Sequence, residues 1–599
     1  MYRLNVLKRA KIALLITALL VGTTLSGCIG SDDAISCGQG TVLKEDECVL
    51  EESGTDESGE WVVFNIESNQ WSFEPNEIIV DEGDKVRLIF TSTSDEQSQY
   101  NLHSFGLNAY DIAVDLPVGE TVTVEFEADL VGEFPFDCSI FCGDRHNDMT
   151  GVLIVNSAGN TEVIAEPETG NNTALVISTD IYDTTTSPNG IPQWNNSDLM
   201  LIIEREAERI AFVDTTTDEI VGRISGLGFQ PHTAVFDEDS EYGYLISRGG
   251  WLSKIQLDDL TVPNYVKVGV SSRGTALSSD GNWVIATNYE PSSFMIVNTS
   301  TMEIAMEYQL PIRWENGESQ FSRAAAALDT ANGYIFVAMK DLGEIWVIDS
   351  LEHRWGDSPF PVVKIFHEQG GMLHDAFITP DSQYYILASQ TSHHMSIIDA
   401  KNLTEVGLVE VGLKPHPGPG AVWGKYIFTP SIGEGKLNII NSETWENEFA
   451  LPIGGPALFT RTFEFGDPSS DVEWEKNHSN LQYPYVWWDT VLSSDVEQNK
   501  EVYVLDASKL YLSNASNESI ASSVWTLKDD DCEGRTLHPE FSHDGSKVYV
   551  SCWAEAGYLL IYESTPGADG QFELLGKIAG LENPTGTFGV GLRAHEIGV

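Results

Sequence analysis

A strand that ends in an acidic or amide residue and runs straight into a turn keeps returning through residues 174–599, and this recurrence constrains the fold more than any other feature. It reads Ala211-Phe-Val-Asp214, Met295-Ile-Val-Asn298, Trp346-Val-Ile-Asp349, Ser396-Ile-Ile-Asp399, Asn438-Ile-Ile-Asn441, Val502-Tyr-Val-Leu-Asp506 and Leu560-Ile-Tyr-Glu563. Lys254-Ile-Gln-Leu-Asp258 fills the one long gap, which makes eight units in about 425 residues. No long helical period interrupts them. A unit of this size is too small to bury its own apolar face, and stacked β-units of this period close into a ring. The pattern predicts an eight-bladed β-propeller over 174–599.

A second all-β region precedes it. Short alternating strands run through Trp61-Val-Val-Phe-Asn-Ile66, Glu77-Ile-Ile-Val80, Lys85-Val-Arg-Leu-Ile-Phe90, Thr121-Val-Thr-Val-Glu-Phe126 and Gly151-Val-Leu-Ile-Val155, with turns such as Asp81-Glu-Gly-Asp84 between them. Residues 61–157 therefore read as a small β-sandwich or barrel. Residues 29–60, rich in Gly, Ser and acids, and the polar stretch 158–173 read as linkers. The chain is all-β in expectation.

The first 28 residues point outside the cytoplasm. Arg3, Lys8, Arg9 and Lys11 precede an apolar stretch, Ile12 to Leu25, and then Leu25-Ser26-Gly27-Cys28. That order is a signal peptide, with an apolar core too short to span comfortably. Its end resembles a lipoprotein lipobox, which implies lipidation of Cys28 and tethering to the outer face of the cell membrane. Lys+Arg total 33 against 91 Asp+Glu, a net charge of -58. Phosphate backbones demand the opposite sign, so nucleic acid is excluded as a general partner. A basic redox protein fits such a surface.

The seven cysteines divide by context. Cys37 and Cys48 flank a Gly-rich loop and suit a disulfide in an exported chain. Cys532 and Cys552 form either a second disulfide or two separate buried thiols. Cys138 and Cys142 belong to Cys138-Ser-Ile-Phe-Cys142-Gly-Asp-Arg-His146-Asn-Asp-Met149. Two thiolates, an imidazole and a thioether within twelve residues are soft ligands suited to copper, and His103 adds a further imidazole. One cysteine serves a mononuclear site, whereas two at this spacing can bridge a copper pair. This region resembles the binuclear CuA cupredoxin of cytochrome oxidase subunit II and nitrous oxide reductase. The resemblance implies an N-terminal cupredoxin β-sandwich, with Cys138 and Cys142 bridging, His103 and His146 terminal, a weak Met149 contact and the Ile140 carbonyl as a further ligand. Such a centre relays single electrons and has no open position for substrate.

The terminus of an electron path then falls to the propeller. Three histidines sit in Gly/Pro-framed turns there: Gly228-Phe-Gln-Pro-His232, Gly370-Gly-Met-Leu-His374-Asp and Leu413-Lys-Pro-His416-Pro-Gly-Pro-Gly420. With Arg209-Ile-Ala-Phe-Val-Asp214, Val268-Gly-Val-Ser-Ser-Arg273, Tyr289-Glu-Pro-Ser-Ser-Phe294 and Asn583-Pro-Thr-Gly-Thr-Phe588, they resemble the haem d1 propeller of cytochrome cd1 nitrite reductase. The resemblance implies His232 as the proximal iron ligand, His374 and His416 as catalytic residues facing substrate, and Arg248 and Arg273 lining the haem pocket. Pro419 and Val235 stand near positions where those reductases tend to carry arginine. The chain has no Cys-x-x-Cys-His for a c-type haem; the CuA region takes that place.

The implied activity is an extracytoplasmic, nitric-oxide-forming nitrite reductase. CuA copper and haem d1 iron are its cofactors, nitrite its substrate and a small soluble redox protein its electron donor. With a Debye length of about 8 Å at physiological ionic strength, the acidic surface is largely screened from the pocket, so local cations decide anion binding. The alternative reading is a haem d1 maturation or carrier protein, or another CuA-linked electron-transfer protein. Nitrous oxide reductase joins its propeller and CuA domain in the opposite order, and a cofactor-free binding propeller leaves both ligand sets unexplained.

Overall fold

The computed structural model describes residues 41–44, 47–50, 54–55, 61–69, 72–93, 102–107, 110, 112–128, 132–138, 149–156, 175–182, 194–310, 313–315, 318–320, 322–356, 358–418, 420–463 and 484–592. Contacts divide the chain into two compact units, Met1–Phe64 and Asn65–Val599. Cys28 and Cys37 lie outside the described residues, as do both linkers for the most part. Among the described residues no helix is long and apolar enough to cross a membrane.

The second unit begins with a two-sheet sandwich. One sheet runs Thr121–Glu127, Lys85–Ser92, Val62–Asn69. The other runs Glu77–Asp81, Thr150–Asn156, Gly132–Asp137, Leu102–Leu107, Ile112–Pro117. Strict alternation puts Val86, Leu88 and Phe90 inward from one strand and Ile78 and Val80 from another, all at most 4% exposed. Phe73 meets Phe90, Phe105 and Phe136 edge to face in the centre, and Phe105 packs tilted against Phe90 and Phe136, with centroids 4.6–6.3 Å apart. This rigid centre holds up the end of the sheet where the copper-type ligands lie.

Eight sheets follow in ring order, each antiparallel. Blade 2 is Pro231–Phe236, Tyr242–Ser247, Trp251–Gln256, Thr261–Lys267, and blades 3 to 8 repeat that four-strand plan from Ser271 to Leu581. Blade 1 is closed by the chain's own end. Pro584–Gly589 pairs with Leu199–Glu204 as its innermost strand, so the last strand joins the first blade and removes the open edge. Glu204, fully buried beside this seam, accepts from Arg209 Nε at 2.8 Å, Arg223 Nε at 3.0 Å and the Glu582 backbone N–H at 2.7 Å. Burial raises its carboxyl pKa, but those hydrogen bonds overcome burial and leave it lowered.

In seven of the eight blades the recurring acid or amide residue closes the third strand, Asp258 of blade 2 lying just beyond it, and its chemistry explains why it recurs. Its side-chain oxygen accepts the backbone N–H two residues on: Thr216 to Asp214 at 2.8 Å, Ser300 to Asn298 at 3.0 Å, Lys401 to Asp399 at 3.0 Å and Glu443 to Asn441 at 2.9 Å. These Asx turns reverse the chain into the outer strand. The strands between are Ile, Val and Leu buried on both faces, each contributing about 1.5–3 kcal/mol by leaving water. Cys532 and Cys552 form a disulfide with an S–S distance of 2.01 Å, which decides between the two readings of that pair.

Candidate functional site: a histidine-lined propeller cavity and a copper-type centre

His232, His374 and His416 occupy equivalent places in blades 2, 5 and 6. Each lies two residues after a residue in the left-handed region: Gln230 (φ 46°), Met372 (φ 51°) and Lys414 (φ 54°). The carbonyl of that residue accepts a backbone N–H from the next loop, of Arg248, Gln390 and Ile432 respectively. This turn feeds the histidine onto the innermost edge of its blade. In an eight-membered ring blade 2 faces blade 6, so His232 lies across the central channel from the adjacent pair His374 and His416. All three line one cavity, which encloses about 1640 Å³ of space including its open mouth.

The two sides differ in charge. His232 Nδ1 lies 2.9 Å from the Arg273 carbonyl, so Nδ1–H donates there and the lone pair is left on Nε2. Burial, then Arg248 and Arg273, push its pKa well below the ordinary imidazole value. It stays neutral, as a metal ligand must. Opposite, Asp375 joins both histidines. His374 Nδ1 donates to its Oδ1 at 2.5 Å and His416 Nδ1 to its Oδ2 at 2.8 Å, with the rings 5.1 Å apart. His416 Nδ1 also lies 3.1 Å from the Leu458 carbonyl. Burial lowers the His374 pKa to about 4 despite Asp375. In His416 the Asp375 charge and hydrogen bond and the Leu458 carbonyl outweigh burial and raise it. Burial would raise Asp375, but the two histidines hold it well below the carboxylate range. The triad thus holds a carboxylate, a neutral imidazole and an imidazole that favours its proton.

Arg248, Arg273 and Arg535 also line the cavity, and none pairs with a carboxylate among the described residues. Among the described residues Arg248 Nη1 reaches Gln230 Oε1, at 3.5 Å, and its Nε has no partner. Arg273 stands over the Tyr289 ring at 4.6 Å. Burial and the neighbouring guanidiniums disfavour the charge on Arg248. A guanidinium does not deprotonate, so the pocket holds cations that call for an external anion. Tyr289 shares this wall, and although burial opposes it, Lys340, Arg273 and Arg323 lower its phenol pKa. Val235 is fully buried in the blade core, and Pro419 lies outside the described residues.

At the sandwich, Cys138 follows Gly132–Asp137 and Met149 precedes Thr150–Asn156, so neighbouring antiparallel strands hold both ends of the ligand loop. The Cys138 N–H donates to the Met149 carbonyl at 3.0 Å. Ser104 N–H donates to Cys138 Sγ at 3.4 Å, which brings His103, the residue before it, to the same end. His103, Cys138 and Met149 are all buried. Among the described residues neither ring nitrogen of His103 has a hydrogen-bond partner, a costly state for a buried imidazole that a metal would relieve. These residues fit copper. Ile140, Cys142 and His146 lie outside the described residues.

A family model described as "Cytochrome D1 heme domain" matches residues 194–593. The chain belongs to that family. Another, described as a cupredoxin-like domain, matches residues 50–155. Over 371 residues the chain is 24% identical to the dihydro-heme d1 dehydrogenase of Pseudomonas aeruginosa, covering 61% of this chain and 67% of that one. It is 21% identical to a nitrite reductase of Stutzerimonas stutzeri over 386 residues, 62% of this chain and 66% of the relative. Its sandwich is 29% identical to cytochrome c oxidase subunit 2 of Thermus thermophilus over 85 residues, 14% of this chain and 58% of the relative. A solved dihydro-heme d1 dehydrogenase NirN, in complex with DHE, shares the propeller fold with a TM-score of 0.54 and 21% identity over 70% of this chain and 81% of that one.

Asp375, Arg535 and Tyr289 escaped sequence reasoning as site residues. Asp375 had a signal in its place directly after His374, since a carboxylate beside a pocket histidine commonly fixes its tautomer. Arg535 had none; the ring brings it to the cavity from more than 250 residues beyond Arg273 in the chain.

Proposed function

We propose that this protein is an extracytoplasmic oxidoreductase acting on the d1-type tetrapyrrole in its propeller, dehydrogenating dihydro-haem d1 and exporting the electrons through its copper domain. One observation carries this reading: a neutral histidine faces a histidine–aspartate–histidine triad across an arginine-lined cavity. A carrier needs neither an acid–base pair nor an electron domain. The kinship to a dihydro-heme d1 dehydrogenase supports the substrate.

His232 would bind the iron of the substrate through Nε2, and Arg248, Arg273 and Arg535 would hold its carboxylates. Dehydrogenation turns a saturated carbon–carbon bond into a double bond, releasing two protons and two electrons. His374, neutral with its Nε2 lone pair uncommitted, accepts protons one at a time and passes them to solvent while Asp375 stabilises the cation. Copper held by His103, Cys138, Met149 and the residues of the loop between them would supply a one-electron relay. Asp115, on the strand beside His103, is influenced electrostatically by Arg205 and Arg535 of the cavity, which relates the copper-type sheet to that side of the propeller.

Nitrite reduction is the second reading, favoured by His416. Its protonated form would offer an Nε2–H to a bound anion, the donor that loss of water from nitrite requires. One experiment separates the two. Full-length copper-loaded protein is given dihydro-haem d1 and an electron acceptor, and in a parallel reaction haem d1, reductant and nitrite. Conversion to haem d1 in the first supports the dehydrogenase. Nitric oxide release in the second, with no conversion in the first, replaces it with the reductase.

A further inference from the structure

Asp489 ends the strand Tyr485–Asp489 of blade 7 and is fully buried, yet no cation pairs with it among the described residues. Four backbone N–H groups from three segments surround its carboxylate instead. Leu458 N–H donates to Oδ1 at 3.0 Å and Val491 N–H at 3.4 Å; Phe459 N–H donates to Oδ2 at 3.3 Å and His538 N–H at 3.1 Å. The return bond, Asp489 N–H to the Phe459 carbonyl at 3.3 Å, closes the same loop.

The loop gripped in this way carries the other partner of His416. The Leu458 carbonyl, on the residue whose N–H Asp489 holds, lies 3.1 Å from His416 Nδ1. Phe459, the next residue, stacks on His538 at 4.1 Å, and both line the cavity. We infer that Asp489 is a positioning residue: by clamping Leu458 it fixes the carbonyl that, with Asp375, orients His416. This rests on the reading of His416 as a proton-handling group. A carboxylate meets the task where an amide does not, because all four donors need acceptors and an Asn side chain would turn its NH2 group toward the two that share one oxygen.

The charged and titratable groups around His416 are Asp375 on blade 5, His374 beside it and Asp489 behind Leu458. Around Asp489 they are His538 and, beyond it, Arg461. The test is Asp489→Asn in the full-length protein with ¹³C-labelled histidine, which reads the His416 titration by NMR without turnover. The His416 midpoint should move to lower pH, His374 should remain neutral and Asp489→Glu should restore part of the shift. In nitrite turnover, the reaction that draws on the His416 proton, kcat should fall about tenfold with KM unchanged, less than loss of the proton group itself. An unmoved His416 midpoint in a folded Asn variant overturns the inference, whichever substrate proves correct. If the Asn variant does not fold, wild-type amide exchange decides. Burial pushes the Asp489 pKa up to about 6 against its four backbone donors. Exchange at Leu458, corrected for its intrinsic rate, should therefore quicken as pH falls through that value, together with a change in the His416 signal. Leu458 exchange that is independent of pH overturns the clamp.

Discussion

The copper-type centre and the propeller cavity solve the same problem, bringing candidate metal ligands together, by opposite means. At the sandwich end Cys138 and Met149 are eleven positions apart and sit on the two ends of one loop, tied by a backbone hydrogen bond. In the propeller His232 and His416 are separated by 184 positions, and only closure of the ring sets them face to face. A local site depends on its loop and the strands beneath it; a ring-assembled site depends on every blade. Damage to the first should leave the second standing, whereas damage to ring closure should disturb the cavity first.

The sharpest break is Cys138→Ser. It should eliminate the bound copper and the thiolate-to-copper absorption while the propeller melts at its normal temperature. Retention of two coppers by elemental analysis would sink the copper assignment. Next in size is His416→Ala, expected to slow a reaction that needs its proton by about 10²–10⁴-fold. His374→Ala should do the same to dehydrogenation, so the ratio of the two losses identifies the chemistry.

The pH behaviour follows from the same pair. The His416 pKa is raised on folding, so its contribution to stability is complete below the unfolded value of about 6.5 and is lost as pH rises through the folded value. His374, lowered to about 4, contributes the opposite slope: stability is lost as pH falls from about 6.5 toward 4. Urea titrations from pH 4 to 9 should show both limbs. His416→Ala should flatten only the upper one.

His232→Ala should weaken tetrapyrrole binding by at least about 10²-fold, since even partners one bond removed from a metal are worth 10–100-fold. Binding titration checks this, and unchanged affinity would remove His232 from the iron. The smallest effect belongs to the Cys532–Cys552 bridge, which spans 20 positions in blade 8. Replacing both by Ser should cost about 3 kcal/mol of propeller stability through the freed unfolded chain, with copper content unchanged. Calorimetry of the copper-loaded protein would show whether the two regions respond separately.

By itself the sequence determined the all-β class, the blade count and the third strand of most blades, because an Asp or Asn that caps its own turn is a local event that any eight residues can display. The cluster Cys138 to Met149 was legible for the same reason: its ligands are neighbours in the chain. The three histidines were visible as candidates through their Gly/Pro turns. Their division of labour was not. Only the tertiary structure put Asp375 between His374 and His416 and the Leu458 carbonyl behind His416, so that burial and the arginines keep His232 neutral while Asp375 and Leu458 together let His416 favour its proton. Protonation depends on charges and burial within a few ångströms, and here those neighbours come from a following blade or loop, 41 residues on from His232 at Arg273 and 42 on from His416 at Leu458.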